Sequence, residues 1–430
     1  MLVFILDSKN VAAAKMTERS VQAAVPDCSC ILIASDFAIH MNRILSEYDK
    51  PFFLTLFAGE QLATGFQNQF ETWLLDLSER AGGMAIDPLL HQQDDECAQL
   101  RGPVLWRTMA VTSGAFPGFQ TTQILPFESY VLLERQLALE ESWPFKCVKS
   151  NQWLPRPPHS EGWRKRDIES SVILPILRMK QPGEQWDEAP IITVVICTFN
   201  NADYLLWAIR SVCMQSYPAW ELLIVDDGST DGTQAIWESS PYAMHPRIRF
   251  IRNGTNRGKA ACLNQALIAA KGEWLLELDA DDWLDTTCMH TLINHIAISP
   301  DGGMVYADHM DWYERSDKSL VLNMTQHEQG DMTVDKLLKN AIPLAPRMYS
   351  IQTVTDLGGW SAADPFHGRL YEDFQMLARI MLERPAAYIQ KALYHRRIRS
   401  SSITHQHPDS YSVWTNWLLE FICSNKRMDT

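Results

Sequence analysis

Positive charge is scarce in this chain. Its 430 residues carry 38 Lys and Arg against 52 Asp and Glu, a formal net charge of −14, and a pI near 5.3, so no overall positive field draws it onto nucleic acid. Long apolar runs are scarce too: no stretch approaches the roughly 18 to 20 apolar residues of a membrane helix. The opening Met1-Leu-Val-Phe-Ile-Leu-Asp7 lacks a basic n-region and meets Asp7 before a signal-peptide core is complete. The expectation is a cytoplasmic chain, soluble or at most peripheral at the inner face of the membrane. Nine cysteines, an odd count set in apolar stretches such as Val195-Ile-Cys197 and Phe421-Ile-Cys423, suit reduced, buried thiols better than a disulfide framework. Cys28 and Cys30 have no second pair at ligand spacing, which argues against zinc.

What is present is ordinary globular material, 46% hydrophobic and 21% charged, long enough for two or three domains. The most informative stretch begins after Pro190. Ile191 to Cys197 is a continuous apolar run bounded by Thr-Phe-Asn-Asn, as in a strand buried on both faces of a parallel sheet. Tyr204, Leu205, Trp207, Ala208, Ser211, Val212 and Cys213 follow at helical spacing, then a second apolar strand, Glu221 to Val225, ends in Asp226-Asp-Gly-Ser229. Ser229-Thr-Asp231 opens the next helix, Ile248 to Ile251 is a short strand, Lys259 to Ala270 an Ala- and Leu-rich helix, and Glu273 to Leu278 a strand ending in Asp279-Ala-Asp-Asp282. Strands alternate with helices, and acidic clusters sit at strand carboxyl ends, where an open parallel sheet binds its ligands. No G-x-G-x-x-G follows these strands, against a nicotinamide or flavin enzyme.

Pro155-Arg-Pro-Pro158, Arg164 to Glu169 and Lys180 to Pro190 cluster Pro, Gly and charge as linkers do, which puts a boundary near 185. The first half reads as a worn copy of the second. Val3, Ile5, Asn10, Arg19, Ser20, Val21, Leu32, Ile33 and Asp36 meet Val194, Ile196, Asn201, Arg210, Ser211, Val212, Leu223, Ile224 and Asp227 at an offset of 191. Leu54, Leu56, Ala58 and Leu62 meet Leu276, Leu278, Ala280 and Leu284 at 222, and Gly114, Glu128, Leu133 and Arg135 meet Gly358, Glu372, Leu377 and Arg379 at 244. An internal duplication with longer loops in the second copy explains the growing offset; strand patterns shared by any two α/β domains are the plain alternative.

Asp279, Asp281 and Asp282 place hard oxygen ligands in one short turn, which suits Mg²⁺ or Mn²⁺ held together with substrate phosphates. Such an ion neutralises a diphosphate leaving group. The plain alternative is a helix N-cap.

Taken together, these ordered motifs resemble glycosyltransferase family 2, the inverting nucleotide-sugar transferases with a GT-A fold. The resemblance covers about 191 to 404 and rests on Val194-Val-Ile-Cys-Thr-Phe-Asn200, Ile224 to Thr233 with Asp-Asp-Gly-Ser, Asn256 to Asn264, Glu277-Leu-Asp-Ala-Asp-Asp282, Leu357-Gly-Gly-Trp360, Tyr371-Glu-Asp-Phe374 and Tyr394 to Thr404. It implies an α/β fold: a GT-A, Rossmann-like catalytic domain over 186–405, a smaller degenerate GT-A-like domain with its linker over 1–185, and a helical tail over 406–430. It implies that Cys197, Thr198 and Asn200 with Asp226 and Asp227 hold base and ribose, of UDP in many relatives, and that Arg257 and Lys259 approach the phosphates. Asp281 then matches the carboxylate on the metal, with Asp282 and Asp279 helping to hold metal, ribose or donor sugar. Asp373 matches the general base, with Glu372 as runner-up. These two acids also suit the first turn of a helix.

Gly359 and Trp360 suit a tight loop that offers an aromatic face to the acceptor, or else a turn with a core Trp. Where relatives carry a His before the Ser-Thr run, this chain has Arg396, Arg397 and Arg399; Arg397 or Arg399 would clamp the diphosphate instead. In the first half Phe57-Ala-Gly59 stands where the second has Asp279-Ala-Asp281, and Ser129 stands for Asp373, so that domain is expected to be non-catalytic. Val413, Trp414, Trp417, Leu418, Phe421 and Ile422 form a helical stripe near the C-terminus, favouring a helix packed on the protein over a membrane-surface helix. The reaction expected is metal-assisted single displacement onto a hydroxyl of a glycan, lipid-linked or protein acceptor. The alternatives are a glycan- or nucleotide-binding protein without turnover, and a nucleotidyltransferase, which needs a Gly-rich phosphate loop not found here.

Overall fold

The computed structural model describes residues 1–25, 27–88, 103–114, 117–120, 127, 130–150, 152–154, 171–178, 191–298, 302–316, 318, 320–326, 332–399 and 410–426. The linker segments at 155–170 and 180–190, and Ser129, lie outside them. The chain divides into two compact units, Met1–Arg178 and Met179–Thr430.

The first unit is built on β1 (Leu2–Leu6), β2 (Ser29–Ile33), β3 (Phe52–Phe57), β5 (Gly83–Pro88), β6 (Val104–Arg107) and β7 (Phe145–Ser150), while β4 (Gln61–Leu62) pairs with β8 (Trp153–Leu154). Every residue of β1 is buried, as its unbroken apolar run requires of an interior strand covered on both faces. The main sheet runs β2-β1-β3-β6-β5-β7.

The second unit carries the elements expected from the sequence, each within a residue or two. β9 (Ile192–Thr198), β10 (Trp220–Asp226), β11 (Ile248–Arg252) and β12 (Trp274–Glu277) are its parallel strands. Helices Leu205–Cys213, Thr233–Glu238 and Lys259–Ala269 connect them. Then come β13 (Trp283–Leu284), the long β14 (Met304–Glu314), β15 (Leu320–Gln326), β16 (Arg347–Ser350) and β17 (Ala386–Ile398). The sheet runs β11-β10-β9-β12-β16-β14-β17-β13, with β15 on β14. The class is the α/β expected, with a Rossmann-like parallel run at one side.

Six strands of this sheet, β10-β9-β12-β16-β14-β17, repeat the order of the first. In both, the steps are parallel, parallel, antiparallel, antiparallel and parallel. One row crosses the first sheet through Ser29, Leu2, Phe53, Trp106, Gly83 and Phe145. Its counterpart crosses the second through Glu221, Thr193, Leu275, Tyr349, Met304 and Ala386. Smaller details recur as well. Ser20 Oγ donates to Thr17 O at 2.7 Å and accepts Leu62 N at 3.3 Å; Ser211 Oγ donates to Ala208 O at 2.7 Å and accepts Leu284 N at 3.1 Å.

The rows also correct the ungapped frame. They set Ser29 against Glu221 rather than Trp220, so β2 matches β10 one residue later than the sequence offset implied, and Asp36 falls on Gly228 instead of Asp227. Asp36 and Gly228 share the left-handed region, φ 54° and 79°. The connection into β10 is one residue longer than that into β2, a difference that apolar matching cannot feel.

Candidate functional site

The carboxyl ends of β9, β10 and β12 bring the expected loops together. After β9, Asn200 adopts φ 56°, accepts Thr230 N through Oδ1 at 2.8 Å, and donates its own N–H to Ser229 Oγ at 2.9 Å. Thr198 is buried and Cys197 packs beside Cys262, which with burial pushes the Cys197 thiol well up. After β10, Asp226 is fully buried, accepts Ser229 N at 3.0 Å and pairs with Arg252 at 3.4 Å. Asp227 holds a loop in place: Oδ1 accepts Arg257 N at 2.8 Å and Asn253 Nδ2 at 3.0 Å, and Oδ2 accepts Gly258 N at 2.8 Å. Both of its carboxylate oxygens thus brace that loop, because buried backbone donors need acceptors. Arg257 is exposed on that loop, at the entry of the helix that carries Lys259.

The turn after β12 leads into β13, not a helix, so the N-cap alternative for the acidic trio fails. Asp285 meets that need further on, accepting Thr287 N at 2.9 Å before the helix Cys288–Ile298. Lys259 Nζ lies 2.7 Å from Asp279 Oδ1 and 3.1 Å from Glu372 Oε1. Arg347 Nη2 lies 2.9 Å from Glu277 Oε2, 3.8 Å from Asp279 Oδ2 and 3.9 Å from Asp373 Oδ2. Burial works to raise the Asp279 pKa, but Lys259 and then Arg347 outweigh it and hold the carboxyl well below its usual range. Asp281 is raised by burial against the opposing Arg399, whose Nη2 is 2.6 Å from its Oδ2.

Asp282 corrects an expectation. Oδ1 accepts Arg397 N at 2.6 Å and Oδ2 accepts the Tyr394 hydroxyl at 2.8 Å. Burial, with Asp281 and Asp279 nearby, pushes its pKa well up. A carboxylate so enclosed pins the turn to β17 and is not presented as a metal ligand, whereas the side chains of Asp279 and Asp281 stay 36% and 19% exposed.

Glu372 and Asp373 occupy the first turn of the helix Glu372–Glu383, so the helix-stabilising reading and the site reading coexist. Glu372 is raised to about 7 by burial, with Lys259 opposing and Asp373 adding to the shift. Its side chain is 7% exposed, while that of Asp373 is 19% exposed. Asp373 Oδ1 accepts its neighbour's Phe374 N at 2.9 Å.

Trp360 is corrected from an acceptor platform to a core residue: it is 2% exposed and meets Tyr349 edge-to-face at 6.1 Å. Gly359, φ 75°, lets the loop close on Asn264, whose Oδ1 a Cβ there would strike. Asn264 then bonds Trp360 N at 2.9 Å and Trp360 O at 2.7 Å. Arg397 pairs with Glu314 at 2.8 Å, donates to Asp281 O at 2.9 Å and lies 4.6 Å from the Tyr204 ring, so neighbours on the protein already fix it. Arg399 lies 4.8 Å from the same ring. Arg347 and Glu314 join this site without a sequence motif to mark them, and Glu277 and Tyr394, which open two of the quoted motifs, join it without an expected role. The only available signal was an Arg in a strand beside acidic strand ends.

Residues 193–346, all within the second unit, match the family model Glycosyl transferase family 2; the Glu372-Asp373 pair lies beyond the matched residues. Hyaluronan synthase of Pasteurella multocida is 25% identical over 252 residues, 56% of this chain and 25% of that protein. Succinoglycan biosynthesis protein ExoO of Rhizobium meliloti is 31% identical over 134 residues, 31% of this chain and 37% of that protein. Among solved structures, S. aureus TarS 1-349 in complex with UDP is 21% identical with a TM-score of 0.40, covering 48% of this chain and 60% of that one. The matches thus span 25% and 37% of the length of these two curated relatives.

Proposed function

We propose, from the match to the family 2 model and from an acidic turn and a Glu-Asp pair linked through Lys259, that this chain is an inverting glycosyltransferase. It takes a sugar from a nucleotide-sugar, a UDP-sugar first among candidates, to a hydroxyl of a glycan, lipid-linked or protein acceptor in polysaccharide or glycoconjugate assembly. The observation that carries the reading is Lys259, whose Nζ spans Asp279 at 2.7 Å and Glu372 at 3.1 Å. One cation thereby joins the donor-side turn to the acceptor-side acids.

The residues fit a divalent ion in part. Asp279 and Asp281 keep part of their carboxylates exposed and offer the hard oxygens that Mg²⁺ or Mn²⁺ prefers. Among the described residues no three His, Cys, Asp or Glu cluster to hold a metal, so substrate phosphate oxygens would complete the shell. Bound there, the ion would neutralise charge developing on the diphosphate. Lys259 and Arg399 add fixed positive charge beside the same turn. Asp373, the more exposed of the two acids, accepts the acceptor hydroxyl's proton as that oxygen bonds to the anomeric carbon. The bond from that carbon to the diphosphate oxygen breaks, and its electron pair leaves with the nucleoside diphosphate. Glu372 keeps Lys259 in place.

The first unit reads as a non-catalytic copy serving stability, partner docking or acceptor binding. The matching strand rows and the paired Ser20 and Ser211 bonds support the duplication, and Phe57-Ala-Gly59 supports the loss of chemistry.

The test is nucleoside diphosphate release from UDP-, GDP- and dTDP-sugars with Mn²⁺ or Mg²⁺, with Asp281→Ala and Asp373→Asn alongside. Metal-dependent release that falls about 10²- to 10⁴-fold in Asp373→Asn is expected. Full release in both variants would end the reading.

A further inference from the structure

The helix Ser410–Lys426 lies against the turn that presents the acid pair. Tyr371, the residue before Glu372, sits at φ 61°, in the left-handed region that a bulky residue occupies only when its surroundings enforce it. It makes no side-chain cap on the helix it precedes. Its ring is 5.1 Å from Tyr411 and 5.2 Å from Trp414, and its hydroxyl is 2.9 Å from Ser410 Oγ. Phe374, directly after Asp373, closes the cluster at 6.1 Å from Tyr411 and 6.3 Å from Trp414. The Tyr411 hydroxyl donates to Leu338 O at 2.6 Å, which ties the start of this helix to the helix Val334–Asn340.

Trp414 and Leu418 are fully buried, in one core with Leu337, Leu338, Phe374, Met376 and Leu377. The acid pair is therefore flanked on both sides by aromatic rings that the C-terminal helix holds. Tyr411 is raised by burial and also feels the Asp373 charge, consistent with its place beside the acids.

We infer that the C-terminal helix is a positioning element of the active site: Tyr411 and Trp414 clamp Tyr371 and Phe374, and so set where Glu372 and Asp373 point. The inference rests on the reading of Asp373 as the base. It predicts an effect on the chemical step more than on donor binding, because the turn at 279–282 is also anchored to β17, through the Tyr394 hydroxyl and the Arg397 N–H. Displacing a base by an ångström costs up to about a hundredfold in rate.

The experiment compares Trp414→Ala, Trp414→Phe and Ser410→Ala in the full chain, with Asp373→Asn as reference. It reads kcat, donor KM, and hydrogen exchange of the Gln375 amide, which donates to Tyr371 O at 3.1 Å. Expected are a loss of about tenfold or more in kcat for Trp414→Ala, a donor KM within about twofold of the parent, recovery in Trp414→Phe, and faster Gln375 exchange in Trp414→Ala. Ser410→Ala, the mildest change, keeps the chain folded and shows a smaller loss of the same kind. Unchanged kcat in Trp414→Ala beside an inactive Asp373→Asn overturns the clamp and leaves the base reading standing. An active Asp373→Asn overturns both. If no donor turns over in the parent, the transferase reading falls, and exchange alone decides whether this helix holds the turn.

Discussion

The turns at 57–60 and 279–282 share a framework and differ in chemistry. In both, the fourth residue's N–H closes on the first residue's carbonyl, Glu60 on Phe57 at 3.0 Å and Asp282 on Asp279 at 3.1 Å. In both that fourth residue is a buried acid, and a two-residue strand follows. Glu60 turns its carboxylate back on its own loop, accepting Phe57 N at 2.8 Å. Asp282 turns outward from its loop to β17. The first and third positions decide the rest: Phe57 and Gly59 present no charge, whereas Asp279 and Asp281 draw in Lys259, Arg347 and Arg399. A buried acid at the fourth position thus belongs to the architecture of the turn, and the acids at the first and third positions are what gather cations at the second turn.

The largest effect should come from making the second turn like the first. Asp279→Phe with Asp281→Gly is expected to cut nucleoside diphosphate release at least about 10²- to 10³-fold while calorimetric unfolding stays cooperative. Release near the parent's rate would break the contrast. Next, Glu60→Ala should cost the first unit about 1 to 3 kcal/mol in denaturant unfolding and leave turnover intact. Asp282→Ala should lower both stability and turnover.

A third test uses His395, buried against Trp283 at 5.1 Å and pushed down to about 4 by burial. A His with a depressed folded pKa contributes stability that is present above about 6.5 and is lost as pH falls toward 4. Replacing it should therefore shift the balance toward the variant on acidification, by about 1 to 2 kcal/mol between pH 6.5 and 5. Urea unfolding of His395→Phe and the parent at both pH values reads this; a pH-independent difference would refute it. The smallest effect is the shared serine bond. Ser20→Ala and Ser211→Ala should each cost about 1 kcal/mol, and very unequal losses would sharpen where the two frameworks have parted.

Much of this was legible in the chain itself. β9, β10 and β12 read as unbroken apolar runs because strands covered on both faces have no polar side to show, and the acidic turns sat at their ends. Arg347 was not legible. Glu277 is 70 residues away, and the antiparallel pairing of β16 with β12 sets it opposite Arg347; Asp373 comes within reach from the start of a helix beyond β16. Trp360 misled because an aromatic after Gly-Gly looks the same whether its ring faces a crevice or the core, and Tyr349, which decides the matter, lies on another strand. Asp282 misled for a related reason: its two partners come from β17, more than a hundred residues later.

That dependence on β17 also bears on the order of assembly. β17 pairs in parallel with β14 and antiparallel with β13, and it supplies Tyr394 and the Arg397 N–H to a turn synthesised long before it. Non-local pairing of this kind forms late, after the loop between has been closed. During synthesis the first unit has all its strands available to fold early. The acidic turn of the second must wait with Asp282 unsatisfied until β17 has emerged, so the first sheet can close well before that turn does.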